Sequence, residues 1–184
     1  TIVASTGNNV TFTNPSGLVV LQTSGGNVNI NSVITKGANG LKIDTTGGGA
    51  TTGGIFDPNG TGMLVMTGGG NLNLVSGAGV GTTAKPVHTN TSSLTLNNST
   101  SSDVYVQNTG TVSLATTFRN QAAGGKLWLE TLNGAINTGA VAVSTNNGQM
   151  ILTASDTSGA AGNNAQINIG SGGLTSSGGM IALH

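Results

Sequence analysis

Residues 125–152 read GKLWLETLNGAINTGAVAVSTNNGQMIL, and two features of this stretch decide the fold. Leu127/Leu129, Val141/Val143 and Met150/Leu152 are apolar pairs separated by a single residue. A spacing of two puts both side chains of a pair on one face of a β-strand. Leu127/Leu129 also returns at i+23 as Met150/Leu152, and Asn133-Gly134 and Asn147-Gly148 sit between the pairs. Gly and Asn tolerate the left-handed backbone that tight corners demand. Strand, corner and strand, returning at a fixed step, describe a coil.

Working outward, the same phrase recurs along the chain as Val10/Phe12, Leu18/Val20, Val28/Ile30, Leu41/Ile43, Leu64/Met66, Leu72/Leu74, Leu94/Leu96, Val104/Val106, Val112/Leu114, Ile167/Ile169 and Ile181/Leu183. Leu18/Val20, Leu41/Ile43 and Leu64/Met66 follow one another at i+23, Leu72/Leu74 and Leu94/Leu96 at i+22, and Val104/Val106 returns at i+23 as Leu127/Leu129. Val28/Ile30 lies two such steps before Leu72/Leu74. A fixed repeat of this length marks a stacked-repeat architecture. The expectation is an all-β chain: a single β-solenoid domain over residues 1–184, a parallel β-helix of about eight coils of roughly 22–23 residues. At roughly 4.8 Å per coil it would be about 38 Å long. Residues 47–60, 75–93 and 155–164 interrupt the pairs and read as loop insertions. No stretch sustains helical apolar spacing.

Composition agrees. Gly, Thr, Asn and Ser exceed half of the 184 residues, charged residues are 5% and aromatics 3%, against roughly 25% charged in an ordinary domain. Recurring Val, Leu and Ile with only 3 prolines separate the chain from a disordered Gly/Ser-rich segment. Stacked Asn, Thr and Ser on successive coils would hydrogen-bond in ladders. The five cations, Lys36, Lys42, Lys85, Arg119 and Lys126, are scattered among Asp44, Asp57, Asp103, Glu130 and Asp156, and net charge is zero. Such a chain lacks the basic patch of a nucleic-acid binder. No apolar run reaches membrane-helix length. Cysteine is absent, so no disulfide framework or thiolate metal site is expected. A chain opening on Thr1 reads as a processed or excised piece and fits export.

The phrases GGNVNINSVITKGANGLKI (25–43), GGNLNLVSG (69–77), SSLTLNN (92–98), GTVSLATT (110–117) and GKLWLETLNGAINTGAVAVST (125–145) resemble the repeat regions of two-partner-secretion exoproteins, the filamentous-haemagglutinin-like adhesins, and autotransporter passenger domains. The likeness covers most of the chain and is one of composition and period. It implies a right-handed parallel β-helix and a secreted bacterial protein at the cell surface, in a group that includes adhesins, biofilm components and toxin-delivery stalks. It carries over no catalytic or binding residue.

The search for chemistry yields few candidates. Asp103 and Lys126 fall one coil apart with Glu130 close behind, a patch better read as a surface ion pair than as paired catalytic carboxylates. Trp128 and Tyr105, about one coil apart, would point outward as an aromatic platform for a sugar or a neighbouring subunit, unless an inserted loop shields them. Asp57-Pro58-Asn59-Gly60 reads as a turn rather than a cation loop. Residues 77–81, GAGVG, look like a phosphate cradle but have no following helix or Lys-Ser/Thr. His88 and His184 have no partner at metal-ligand spacing. Thr11-Phe12-Thr13 is the only clear Thr-x-Thr strand phrase, too little for an ice-binding array. Asn-x-Ser/Thr triplets begin at Asn9, Asn59, Asn90, Asn97 and Asn98, as chance allows in so Asn- and Thr-rich a chain.

The expected function is therefore a non-enzymatic, structural or adhesive extracellular solenoid without catalytic residue, metal or cofactor. It would be a segment or subunit of a surface fibre. Its partners would be itself stacked head to tail, adjacent coils of a longer chain, and cell-surface glycans, because neither end offers a capping element. The alternative is a carbohydrate-binding or carbohydrate-active β-helix using Trp128 and Tyr105 with Asp103 and Glu130.

Overall fold

The alternating pairs do form strands. A computed structural model describes residues 2–3, 10–12, 17–157 and 165–184. Asn9, Thr13 and most of the insertion at 155–164 lie outside the described residues. Among those described there is no α-helix, only a single 3-10 turn at Gly47–Gly49.

The chain winds as a parallel β-solenoid of about six turns. Before the full turns come β1 (Ile2–Val3), β2 (Val10–Phe12) and β3 (Val19–Gln22). The next turn is β4 (Val28–Asn29), β5 (Val33–Lys36) and β6 (Leu41–Asp44), followed by β7 (Ile55–Phe56), β8 (Met63–Met66) and β9 (Leu72–Ser76). Val80 stands as an isolated bridge before β10 (Val87–Asn90) and β11 (Ser93–Asn98). Then come β12 (Val104–Thr109) with β13 (Val112–Ala123), and β14 (Leu127–Leu132) with β15 (Ile136–Asn137) and β16 (Val143–Asn146). β17 (Met150–Ser155), β18 (Ile167–Asn168) and β19 (Leu174–Ser176) make the last full turn, and β20 (Ile181–Leu183) follows.

Strands from successive turns pair in parallel into an eight-stranded sheet, β2-β5-β8-β10-β12-β14-β17-β20, a nine-stranded sheet on the other side, and a short sheet β1-β4-β7. Val80 bridges both Ile55 and Val104, so the short sheet runs into β12 and disappears as a separate side.

Register corrects the uniform step. The step is 23 from Val104 to Leu127 and again from Leu127 to Met150, then 31 to Ile181. Leu72 to Leu94 is 22, as expected. Leu41, however, pairs with Leu72 at i+31, and not with Leu64, which pairs with Ile34 on the adjacent sheet. Val28 stacks on Ile55, not toward Leu72. Leu18 and Val20 are 57% and 46% exposed, and their neighbours Val19 and Leu21 pack on the core instead. The physical reason is that every side of the coil uses the same apolar-x-apolar code. A pair from the wrong side therefore fits the repeat as well as the true one.

The long steps locate the insertions. Between β17 and β20 the extra residues fall before β18, because Ile136 to Met150 and Ile167 to Ile181 span equal lengths. The segment 47–60 contains the 3-10 turn but also β7, and 75–93 contains the Val80 bridge and β10, so both hold sheet strands as well as loop.

Corners follow a local chemistry. Thr131 and Thr145 are buried, and each hydroxyl donates to the carbonyl three residues on, Gly134 and Gly148, at 2.7 Å. Ser76 does the same to Gly79 at 2.7 Å, and Asn98 Nδ2 donates to the Ser101 carbonyl at 2.8 Å. In Thr-x-Asn-Gly the asparagine takes the left-handed backbone, with φ 60° at Asn133 and 64° at Asn147. The glycine is needed for closeness: a Cβ at Gly148 would stand 1.8 Å from the Gly125 carbonyl oxygen of the preceding turn.

An earlier corner is built on charge. Asp44, buried, accepts from Lys42 Nζ at 2.7 Å and Gln22 Nε2 at 3.3 Å through Oδ2. Its Oδ1 accepts from the Thr46 amide at 2.8 Å and the Thr46 hydroxyl at 2.7 Å. Burial alone would raise this carboxyl, but the Lys42 ammonium and the two Thr46 donors outweigh it and hold it below the ordinary carboxylate value.

Inside, columns such as Val106, Leu129 and Leu152 form one continuous apolar core. Burying each such side chain contributes about 1.5–3 kcal/mol. Lys36 is a surprise, fully buried in register with Met66, its Nζ donating to the Ala38 carbonyl at 2.9 Å. The expected side-chain ladder is present in places: Asn98 Nδ2 donates to Asn120 Oδ1, and Asn168 Nδ2 to Asn137 Oδ1, each across one turn at 2.8 Å. More of the buried polar side chains tie corners than form ladders.

Candidate functional site

The outward positions of β12 and β14 bring the sequence candidates together. Parallel pairing sets Tyr105 beside Trp128 and Gln107 beside Glu130, with Asp103 and Lys126 just before the two strands. The i+23 repeat predicts this alignment, and here it is correct.

The rings of Tyr105 and Trp128 lie 6.2 Å apart, tilted by 50°, within the range of favourable aromatic pairs. Lys126 Nζ stands 5.9 Å from the Tyr105 ring centroid, close enough for a cation–π contact. Yet Tyr105 is only 7% exposed. Thr83, from the tight turn in which the Thr82 and Lys85 amides each donate to the other residue's carbonyl, walls one side. What remains is a depression of about 260 Å³ lined by Thr83, Tyr105, Lys126, Trp128 and Ile151. Shielding by an inserted loop describes Tyr105; Trp128 alone stays half-buried at the surface.

The carboxylates have local partners. Asp103 Oδ1 accepts from the Lys126 amide at 2.8 Å, and Oδ2 from the Tyr105 hydroxyl at 3.0 Å. The expected Asp103–Lys126 side-chain ion pair does not form, because the ammonium sits over the ring instead. Glu130 accepts from Gln107 Nε2 at 2.7 Å and from the Ser155 hydroxyl at 3.0 Å. Four positions separate Lys126, which is level with Asp103, from Glu130, so the backbones of the two acids stand about 13 Å apart along the strand, and each carboxylate holds its own partners. They are not brought together as a pair.

Asp57 forms the expected turn: it is buried, with Oδ1 accepting from the Gly60 amide at 2.8 Å and Oδ2 from the Gly62 amide at 3.0 Å. His88 Nδ1 lies 3.6 Å from Asp57 Oδ2, and Lys85 Nζ donates to the Pro58 carbonyl. Among the described residues no three His, Cys, Asp or Glu side chains gather as a metal site. Residues 77–81 are a corner, where the Gly79 amide donates to Asn98 Oδ1 at 2.9 Å. Neither the burial of Lys36 nor the surroundings of Arg119 left a signal in the sequence, because both depend on which residues of other turns lie alongside.

No protein family, curated protein or solved structure matches the chain.

Proposed function

We propose that the chain is a structural, non-catalytic stretch of a secreted bacterial surface fibre, with adhesion its role in the wider protein. The resemblance to two-partner-secretion exoproteins supports this reading. So does the use made of the acidic side chains: Asp44, Asp57, Asp103 and Glu130 each hold backbone or a neighbouring turn. In this reading the winding is right-handed, as in the proteins resembled, and the eight strands of the sheet from β2 to β20 correspond to eight coils, the outermost incomplete.

One observation carries the fibre reading. All the large apolar side chains exposed among the described residues, Leu18, Val20, Ile169, Met180, Ile181 and Leu183, lie in the first or last turns. Ile181 and Leu183 continue the core column of Met150 and Leu152, and they are 40% and 45% exposed. A further layer, from a longer chain or from a second copy stacked head to tail, would bury them.

Negative-stain imaging and size-exclusion chromatography over a concentration series test the stacking. Rods lengthening with concentration are expected. A dispersed monomer at every concentration, unchanged by Leu183→Asp, would sink the self-stacking version. Reducing-sugar release from uronate and neutral polysaccharides should stay at background; turnover would turn the assignment to the carbohydrate-active alternative, whose surface would be the Trp128 depression.

A further inference from the structure

β13 is the longest strand, with twelve residues, and its register breaks twice. Against β11 it passes from Leu114 to Phe118 while β11 passes from Leu94 to Leu96. Against β16 it passes from Asn120 to Ala123 while β16 passes from Thr145 to Asn146. Each break places two extra residues on β13. Thr116, within the first, has φ 58°, a backbone that a β-branched residue adopts only under strain of about 1–3 kcal/mol. Bulges re-aim side chains and concentrate beside functional sites. Between these two lies Arg119, directed outward while Phe118 and Asn120 are buried.

Arg119 aligns with Asn97, Ser144 and Thr175 of neighbouring turns. Beside this column runs a groove of about 390 Å³ whose lining residues are all Ser, Thr, Asn, Gln or Arg. The other four cations have local uses: Lys42 on Asp44, Lys36 on the Ala38 carbonyl, Lys85 on the Pro58 carbonyl and Lys126 over Tyr105. Arg119 donates from Nε to Asn97 Oδ1 at 2.8 Å and meets no acidic side chain among the described residues. Arg119 itself is one of the residues that line the groove.

The chemistry of a ligand follows. A lone guanidinium balances one negative charge, and its planar fork matches a carboxylate in bidentate fashion. A polyphosphate chain would need several cations, and a nucleobase would need an aromatic face that the lining lacks. Hydroxyl and amide walls suit a ligand dense in hydroxyls. The groove spans β13, β16 and β19, about 10 Å along the axis at the rung spacing, or some two linked sugar rings. The geometry points to a binding groove for a carboxylate-bearing saccharide, its carboxylate on Arg119 and its hydroxyls on Ser144, Asn146 and Thr175. This site is on the nine-stranded side, separate from the Trp128 depression, and its failure would leave the fibre reading untouched.

Amide NMR titration of the whole chain tests it, with an aldobiouronic acid (one uronate linked to one neutral sugar) and sialyllactose as the two acidic arms, the corresponding neutral disaccharide and lactose as their neutral counterparts, and inorganic sulfate as a bare anion. At least one acidic arm should shift Ser144, Asn146 and Thr175 at millimolar concentration, about tenfold more tightly than its neutral counterpart, and which arm does so identifies the sugar. Arg119→Gln should weaken it about tenfold, with Arg119→Lys intermediate. Should Arg119→Gln lose its fold, Ser144→Val serves: it keeps the charge and removes a hydroxyl that meets the sugar, so it should weaken the acidic arm severalfold while its preference over the neutral counterpart remains. Equal binding of neutral sugar, equal shifts from sulfate, no shift with either acid, or full binding by a folded Arg119→Gln would each overturn the assignment.

Discussion

The turns from β12 to β17 and those from β3 to β9 use the same strand code but different corners. In the later region the step is 23 twice over, through neutral corners: Asn108 and Asn120 tie those of the first turn, and Thr-x-Asn-Gly those of the second. In the earlier region the step is 22 and then 31, and the corner after β6 turns on a buried carboxylate with a 3-10 turn beyond it. A regular period thus records corners that keep their combined length, whichever side chains build them. Where a corner is rebuilt, the count of residues is free to change while the sheet continues unbroken.

Breaking the later region should cost most. Leu129→Ala, between Val106 and Leu152, should destabilise by about 2–5 kcal/mol in urea titration. The matching change on the earlier side, Val20→Ala, should cost under about 0.5 kcal/mol because Val20 faces outward. A large loss there would restore Leu18/Val20 as the core pair. Next, Gly148→Ala drives a methyl into the Gly125 carbonyl and should cost about 3 kcal/mol or more. Gly37→Ala, in an earlier corner with nothing within 4 Å of the new methyl, should be neutral or stabilise slightly. Thr131→Val keeps shape and removes the bond to Gly134, and a loss of about 1–2 kcal/mol in the same titration is expected.

The smallest effect is read through pH. The folded Asp44 carboxyl is held below its unfolded value. Its contribution is therefore complete above the unfolded carboxylate range, near about 3.9, and is lost as pH falls through the lower folded value. Asp44→Asn should lower the melting temperature by about 2–4 °C at neutral pH, and the gap should close as the solution is acidified below the ordinary carboxylate range. A gap that stays constant down to strong acid would remove Asp44 as the acid-sensitive corner.

These outcomes also mark how far the sequence could be read. Strand content was legible because alternation such as Leu127/Leu129 is written in adjacent residues. The alignment of Tyr105 with Trp128 was legible because the intervening corners do not change length. The partner of Leu41 was not, since Leu64 and Leu72 carry the same local signal and only the corner between β6 and β7 decides between them. Burial of Tyr105 depends on the turn around Thr83 one coil earlier, and the setting of Arg119 on two bulges that leave no mark in composition.

The handover of the chain from turn to turn at a corner has a mechanical meaning. Pulled along its axis, such a coil opens one rung at a time, because each rung is joined to the next by its own rows of hydrogen bonds. A turn that occupies about 4.8 Å of length when stacked releases roughly 75–80 Å of slack when its backbone straightens. The neutral corners and the charged one would then yield at different tensions, so that the stack would lengthen in unequal steps.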